Sequence, residues 1–560
     1  MKKKINILAT SDIHGCFFPY DYAHRKTANG SMAQIAHYVE EARRRNKENL
    51  LLLDNGDIMQ GQPTYDSSRP LFSEKMAADI FNYMQYDAIT IGNHDIETGH
   101  AVYDKFVKDV KCPVLGANVI DKTQGLTYFH PYTLIYKCGI RIAIFGLVTP
   151  VIPYWLDKSL WQGLYFQNLM KTAQYWMNII LVKEQPDLVV GLFHTGWEGG
   201  LRSNSYCEND TLRIAREIPG FDVIIYGHDH QTNLMTIQNK AGTDVLCINP
   251  GCNALQLAQI EITKNESKGK TITPYHIKAK IINVSQEPES SKYMSTFKEY
   301  FQSVRTFSNK KIGRIEFAIS SRDCCFGDAP FSNMIHNLQL KITGADISFT
   351  APLVYDVSLS SGNIHISDLY TIYRYENLIY MLNMTGEEIR CYLEYSYSLW
   401  IQTMHSIEDP LMQISKYTIG NNTYYMFCHL VFNFDTAAGI TYEVDVTKPA
   451  GKRIRITGME NGDSFQLTKM YHVAMHSYRG NGGNEFLTKG AKIPKAKLAE
   501  RLIYTSRHTQ RYELAKAIEK LGKIYPKARK NWRFIPEEWT KKAIQRERKL
   551  VFGYKDNNVY

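Results

Sequence analysis

Ile5-Asn6-Ile7-Leu8-Ala9-Thr10-Ser11-Asp12-Ile13-His14 sets the grammar of the first half of the chain: a short apolar run, then polar residues able to hold a ligand. A run of this length bounded by polar residues reads as a buried strand. The pattern returns at Leu50–Leu53 before Asn55-Gly56-Asp57 and at Ala88–Ile91 before Gly92-Asn93-His94-Asp95. It returns again at Leu188–Phe193 before His194, at Val223–Tyr226 before Gly227-His228-Asp229-His230, and at Val245–Ile248 before Asn249-Pro250-Gly251. Ile140–Val148 is a further apolar run. Helix-period segments lie between several of these. Ser31 is placed to cap a helix carrying Ile35, Tyr38, Val39 and Ala42, and Phe72, Met76, Ile80 and Met84 make the apolar stripe of another. Strands alternating with helices predict an α/β layered domain.

Ligands in open α/β sheets gather at the carboxyl ends of strands, so the polar tails should converge on one crevice. Each tail is weak alone, since a single His-x-His or Asp-x-His is usually a surface feature and Gly-Asn-His-Asp an ordinary turn. Together they offer carboxylates, imidazoles and one amide oxygen, always at the same end of successive strands. Carboxylate and imidazole without thiolate suit Mn²⁺, Zn²⁺, Fe or Co. A pair of such ions would sit about 3.5–4 Å apart and share a bridging carboxylate. Asp57 is the candidate for that bridge.

With Asp12-x-His14, Gly56-Asp57, Gly92-Asn93-His94-Asp95, His194 and Gly227-His228-x-His230 in order, the chain resembles the calcineurin-like metallophosphoesterases. The resemblance implies a four-layer α/β/β/α domain binding two divalent metal ions. Asp12, His14, Asp57 and His230 would hold one, and Asp57, Asn93, His194 and His228 the other. His94 would serve the leaving oxygen, and a hydroxide bridging the metals would attack phosphorus in line. Glu97 stands where the nucleotidase branch often has an Asp that orients this histidine; a solvent-facing loop acid is the alternative reading.

The grammar changes near residue 283. Residues 284–311 are polar and helix-compatible and read as a linker with a helix, dividing a catalytic domain at 1–283 from a substrate-binding domain at 312–560. The second region reads as α+β, with a hairpin or loop at Gly420-Asn421-Asn422, a Gly-rich turn at Gly480–Gly483 and a helical closing segment at 507–550. It resembles the C-terminal domain of the 5′-nucleotidase and 2′,3′-cyclic-nucleotide 2′-phosphodiesterase/3′-nucleotidase family. The matching stretches include Asp328-Ala329-Pro330, Met384-Thr385-Gly386, Phe432-Asn433-Phe434-Asp435 and Tyr478-Arg479-Gly480-Asn481-Gly482-Gly483. By resemblance, Phe432 and Tyr478 would sandwich a nucleotide base and residues 284–311 would include a hinge. The 5′-nucleotidases usually carry Gly-Gly-[Ile/Leu]-Arg where this chain has Ala351-Pro352-Leu353-Val354, and Asp where it has Asn484. Those departures order the expected substrates: 2′,3′-cyclic and 3′-nucleotides first, 5′-nucleotides second.

Composition bounds the rest. Apolar residues are 44% and charged residues 22% of 560, an ordinary globular balance too long for one core. No segment is apolar enough for a membrane span. Met1-Lys2-Lys3-Lys4 precedes too short an apolar stretch for a secretory signal, so the expected location is the cytoplasm, or the periplasm or exterior if a leader was removed. Ten cysteines without framework spacing read as buried reduced thiols. The net charge of +10 resides in residues 501–560, with 16 Lys/Arg against 6 Asp/Glu. A basic tail can bind nucleic acid, but Tyr525, Trp532, Phe534 and Trp539 suggest one packed on the body. The expected partner is a small nucleotide; oligomeric state is open. The rivals are a nuclease of the same fold and a metal-binding scaffold without activity.

Overall fold

The computed structural model describes residues 4–203, 206–264, 275–419 and 422–553, in two compact units, 1–308 and 309–560.

In the first unit two six-stranded sheets lie face to face. One runs in the order Tyr275–Asn283, Gln256–Lys264, Lys4–Thr10, Leu50–Asp54, Ala88–Thr90, Val114–Leu115, and its last four strands are parallel. The other runs Thr232–Gln238, Asp244–Pro250, Val223–Tyr226, Leu188–His194, Ile140–Val148, Tyr132–Lys137, with four parallel strands between antiparallel edges. Alternation along the strands builds the layers. Ile5, Ile7, Ala9, Leu51 and Leu53 join Ile144, Val190, Leu192 and Ile225 in the core between the sheets. Leu8, Leu50 and Leu52 face the other way, onto the helices Met32–Asn46 and Pro70–Met84. Phe145, Phe193 and Ile224 pack against the helices Leu169–Ile179 and Thr211–Glu217. Both faces of each central strand are covered, which is why their sequences are apolar runs rather than alternations. The result is the four-layer α/β/β/α arrangement. Ser31 accepts from the backbone N–H of Ala33 at 3.1 Å, as a cap should.

The segment read as a linker is not one along most of its length. Val284, Tyr293, Phe297 and Val304 belong to the first unit's core, on the helices Ser291–Thr296 and Lys298–Ser308, and the units divide at Ser308 and Asn309. The polar composition of 284–308 is that of the outer face of amphipathic helices.

The second unit is α+β. A five-stranded sheet runs Thr436–Ala438, Ile347–Thr350, Met470–His476, Leu378–Thr385, Leu502–Thr509, covered by the helices Pro330–Thr343 and Gly386–Trp400. Met384-Thr385-Gly386 is a strand-to-helix corner: Thr385 Oγ1 accepts from Glu388 N at 3.2 Å while Glu388 Oε2 accepts from Thr385 N at 2.7 Å. The 507–550 expectation holds only in part. Helices Gln510–Leu521 and Glu537–Phe552 flank a strand, Trp532–Ile535, parallel to Ile440–Asp445. Trp532, Phe534, Ala543 and Phe552 are core residues, so the described part of the basic tail, as far as residue 553, is built into this unit. Strands Ile414–Ile419 and Asn422–Phe427 pair as a hairpin, while its expected turn residues Gly420 and Asn421 lie outside the described residues. Of the ten free thiols, Cys207, Cys247, Cys324 and Cys325 are buried and Cys428 is exposed, so burial is general only in part. Among the described residues no helix is long and apolar enough to cross a membrane.

Candidate metal centre

The loops leaving the parallel strands are bent sharply. Asp12, His14, Asp57, His228 and His230 all have left-handed backbone, with φ of 51°, 50°, 55°, 74° and 57°. Such conformations cost a non-glycine residue about 1–3 kcal/mol each and persist where the surroundings over-determine them. Here the loops lock one another: Asp12 N donates to Gly56 O at 3.0 Å and His14 N to Asp57 O at 2.9 Å. Two glycines are required by close approach. A Cβ on Gly92 would lie 2.2 Å from Asp57 Oδ1, and one on Gly227 would lie 2.4 Å from Asp12 Oδ2.

Two donor sets result, sharing one carboxylate. Donor atoms of Asp12, His14, Asp57 and His230 all lie within 4.8 Å of one another, and so do those of Asp57, His194 and His228. Asn93 joins the second, with Oδ1 3.1 Å from His194 Nε2. Backbone carbonyls fix the imidazoles. His14 Nδ1 donates to Gln60 O at 2.8 Å and His194 Nδ1 to Asn55 O at 2.6 Å, leaving each Nε2 to present a lone pair. His14 Nε2 then stands 2.9 Å from His230 Nε2, and His194 Nε2 stands 3.2 Å from Asp57 Oδ2. Electron-rich atoms facing one another this closely fit cations between them. The residues present fit a pair of divalent ions.

The electrostatics agree. Burial would raise the Asp57 carboxyl, but His194 and His94 hold it well below the usual carboxylate range. Burial opposes charge on His194, yet Asp57 carries it up to about 10. The field that holds a proton on His194 is the field that would hold a metal ion in its stead. Burial pushes His14 down to about 4, keeping its ring neutral and free to bind a cation.

His94 is not in either set. Its N–H donates to Asp57 Oδ1 at 2.8 Å, and its ring Nδ1 meets Glu97 Oε2 at 2.5 Å. Burial works against a charge on this ring, but Asp57 and Glu97 outweigh it and raise the group to about 9. With Nδ1 engaged, Nε2 is the ring position left for a substrate.

Phe432, Tyr478 and Asn484 come together in the second unit. Phe432 lies in the short helical turn Val431–Asn433. Tyr478 Oη donates to Asn484 Oδ1 at 2.9 Å, and Asn484 Nδ2 donates to Asn433 Oδ1 at 2.5 Å. Fully buried Arg479 ties the two loops: it donates to Phe432 O at 2.7 Å and Gly483 O at 3.1 Å while pairing with Asp435.

Three supporting residues were missed. Asp95, visible beside His94 but given no role, clamps the loops by accepting from Asp57 N, Ile58 N and Gly92 N, each at 2.9 Å. Glu208 Oε1 lies 3.2 Å from His228 Nε2, and the Trp155 ring stacks on His228 at 5.6 Å. Glu208 and Trp155 sit in no recognisable pattern, so nothing in the sequence pointed to them.

Residues 5–232 match the calcineurin-like phosphoesterases, and residues 307–489 match the 5′-nucleotidase C-terminal domain. The trifunctional nucleotide phosphoesterase protein YfkN of Bacillus subtilis is 26% identical over 96% of this chain, which spans 39% of that protein's length. The 2′,3′-cyclic-nucleotide 2′-phosphodiesterase/3′-nucleotidase of Haemophilus influenzae is also 26% identical, over 95% of this chain and 87% of its own length. Among solved structures, the 5′-nucleotidase precursor of Thermus thermophilus superposes with a TM-score of 0.65 at 20% identity, over 95% of this chain and all of its own, which shows a shared fold. The chain thus carries a calcineurin-like phosphoesterase domain followed by a 5′-nucleotidase C-terminal domain.

Proposed function

We propose that this chain hydrolyses nucleotide phosphoesters with two divalent metal ions, acting on 2′,3′-cyclic and 3′-nucleotides first and 5′-nucleotides second. One observation carries the reading: two sets of donor atoms share Asp57. Asp12, His14, Asp57 and His230 would hold one ion, and Asp57, Asn93, His194 and His228 the other. The donors suit Mn, Zn, Fe or Co. Ions bound there would supply a nucleophile from water near neutral pH and neutralise phosphoryl charge.

The chain's own residues do the rest. Asp57 and Asp12 provide the negative field, and Asp95 holds the Asp57 loop in register. Glu97 orients the His94 ring, whose Nε2–H passes its proton to the departing alkoxide. Phe432 and Tyr478 hold the base by its faces, with little discrimination among bases. The substrate order is supported by Ala351-Pro352-Leu353-Val354 and Asn484, where the chain departs from the 5′-nucleotidase pattern, and by the relative whose name states that activity over 87% of its length.

The test is a panel of 2′,3′-cyclic, 3′- and 5′-nucleotides with bis-p-nitrophenyl phosphate, assayed with added Mn²⁺ or Zn²⁺. Protein that holds two metal ions and turns over none of them would end this reading. Within the panel, His94→Gln should lower kcat by roughly 10²–10⁴-fold while elemental analysis finds the same metal content. Phe432→Ala should raise KM for nucleotides by roughly 5- to 150-fold, the worth of one stacked base, and leave bis-p-nitrophenyl phosphate unaffected. Equal loss on the small ester would remove Phe432 from base binding.

A further inference from the structure

The first unit carries a large trough outside the metal centre, with a volume of about 1030 Å³. That is the top of the range of roughly 300–1,000 Å³ usual for small-molecule pockets, so it is roomier than one nucleotide requires. Its walls include Trp161, Tyr165, Tyr175 and Trp176, with Lys122 and Lys171 among them. Tyr165 is 54% and Tyr175 61% exposed. Large rings left this open in a concave wall mark a binding surface.

Local structure explains the presentation. Tyr165 is the outward residue of the strand Leu164–Phe166, whose two neighbours are buried, and that strand pairs with Val119–Asp121 just before Lys122. Lys171 and Tyr175 stand four residues apart on the helix Leu169–Ile179 and therefore share a face. Lys122 Nζ lies 5.4 Å from the centre of the Trp161 ring, so cation and aromatic are already side by side. No Asp or Glu is among the described residues lining the trough. Aromatic faces interleaved with lysine and free of acid fit a single-stranded nucleic acid, whose bases stack and whose phosphates are anionic.

Two residues lining the trough are near neighbours in the chain of residues that touch the metal centre. They are Tyr154 and Tyr206, which pack together at 4.8 Å. The residue after Tyr154 is Trp155, which stacks on His228, and two residues after Tyr206 is Glu208, which reaches the same imidazole.

We infer that the trough seats the bases of a short single-stranded oligonucleotide whose terminal phosphoester lies at the metal centre, so that oligonucleotide ends are substrates alongside mononucleotides. This rests on the hydrolysis proposed above. Water's oxygen bonds to phosphorus, the ester P–O bond breaks, and a proton goes to the departing ribose oxygen.

The experiment uses the full chain and a labelled hexaribonucleotide ending in a 2′,3′-cyclic phosphate. Fluorescence anisotropy in EDTA measures binding, and a separate assay with Mn²⁺ measures turnover against the cyclic mononucleotide. In the double variant Tyr165→Ala/Tyr175→Ala the oligonucleotide Kd should rise at least about tenfold and its kcat/KM fall by the same factor, with mononucleotide turnover unchanged. Lys122→Gln/Lys171→Gln should flatten the salt dependence of oligonucleotide binding. Both rings are exposed, and circular dichroism will verify that the variants stay folded. Equal Kd in wild type and the tyrosine double variant would overturn the inference, as would an abasic hexamer binding as tightly as the base-bearing one. Binding lost in the variant, with no turnover of either substrate by wild type, would uphold the trough and refute the hydrolysis. Mononucleotide turnover with unaltered oligonucleotide Kd would do the reverse.

Discussion

Asp57→Asn is expected to release metal ions and lower turnover of every phosphoester by at least about 10³-fold, since changes merely behind metal ligands already cost 10–100-fold in affinity or activity. Asp57 is buried, belongs to both donor sets, and accepts from His94 N through Oδ1 at 2.8 Å. Asparagine keeps the shape and the possibility of that hydrogen bond but removes the shared negative charge. Without it the pair of ions would face one another across a neutral group. The fold should survive, because the packed strands beneath are untouched. Wild type should melt higher when metal is added, by the linkage that stabilises any protein binding a ligand only when native. The variant should lose most of that gain and, in EDTA at neutral pH, melt below wild type, because the Asp57 carboxylate is held below its usual range by His194 and His94 and so stabilises the fold. Elemental analysis showing two ions retained in Asp57→Asn would remove this residue from the bridge.

Arg479→Met should destabilise the second unit by about 3–5 kcal/mol, the usual cost of stripping one partner from a buried ion pair. Arg479 and Asp435 are both essentially inaccessible and meet in two parallel contacts, Nε to Oδ2 at 3.0 Å and Nη2 to Oδ1 at 3.1 Å. The guanidinium also lies 3.8 Å from the centre of the Phe486 ring. Met fills comparable volume but abandons the Asp435 charge and the carbonyls of Phe432 and Gly483. Thermal unfolding should shift down, and nucleotide KM should rise because the loops bearing Phe432 and Tyr478 lose their common anchor. Arg479→Lys should recover little, since an ammonium cannot make the forked contact. Arg479→Met combined with Asp435→Leu should recover stability but not nucleotide affinity. If Arg479→Met melts with wild type, the pair contributes far less than its burial implies.

Much of the first unit was legible because its central strands are covered on both faces, and nothing but an apolar run satisfies that environment. The polar residues after those runs stood out for the same reason: Asp12, Asp57 and His194 interrupt patterns with no other use for charge. Geometry behind the centre was not legible. Glu208 comes from the short strand Cys207–Asn209 and reaches His228 only through tertiary packing. The segment 284–308 misled because its outer helical faces are polar while Tyr293 and Phe297 point inward. Trp532–Ile535 was hidden between Lys- and Glu-rich stretches that favour helix, and only its pairing with Ile440–Asp445 makes it a strand.

All of the candidate metal-holding residues lie between Asp12 and His230, inside a unit that closes at Ser308. During synthesis, therefore, every metal-holding side chain and every strand beneath it has left the ribosome before most of the second unit has been translated. A nascent chain can load its metals while it still lacks Phe432 and Tyr478. On the proposed roles, order of manufacture would separate acquiring the chemistry from acquiring the taste for nucleotides.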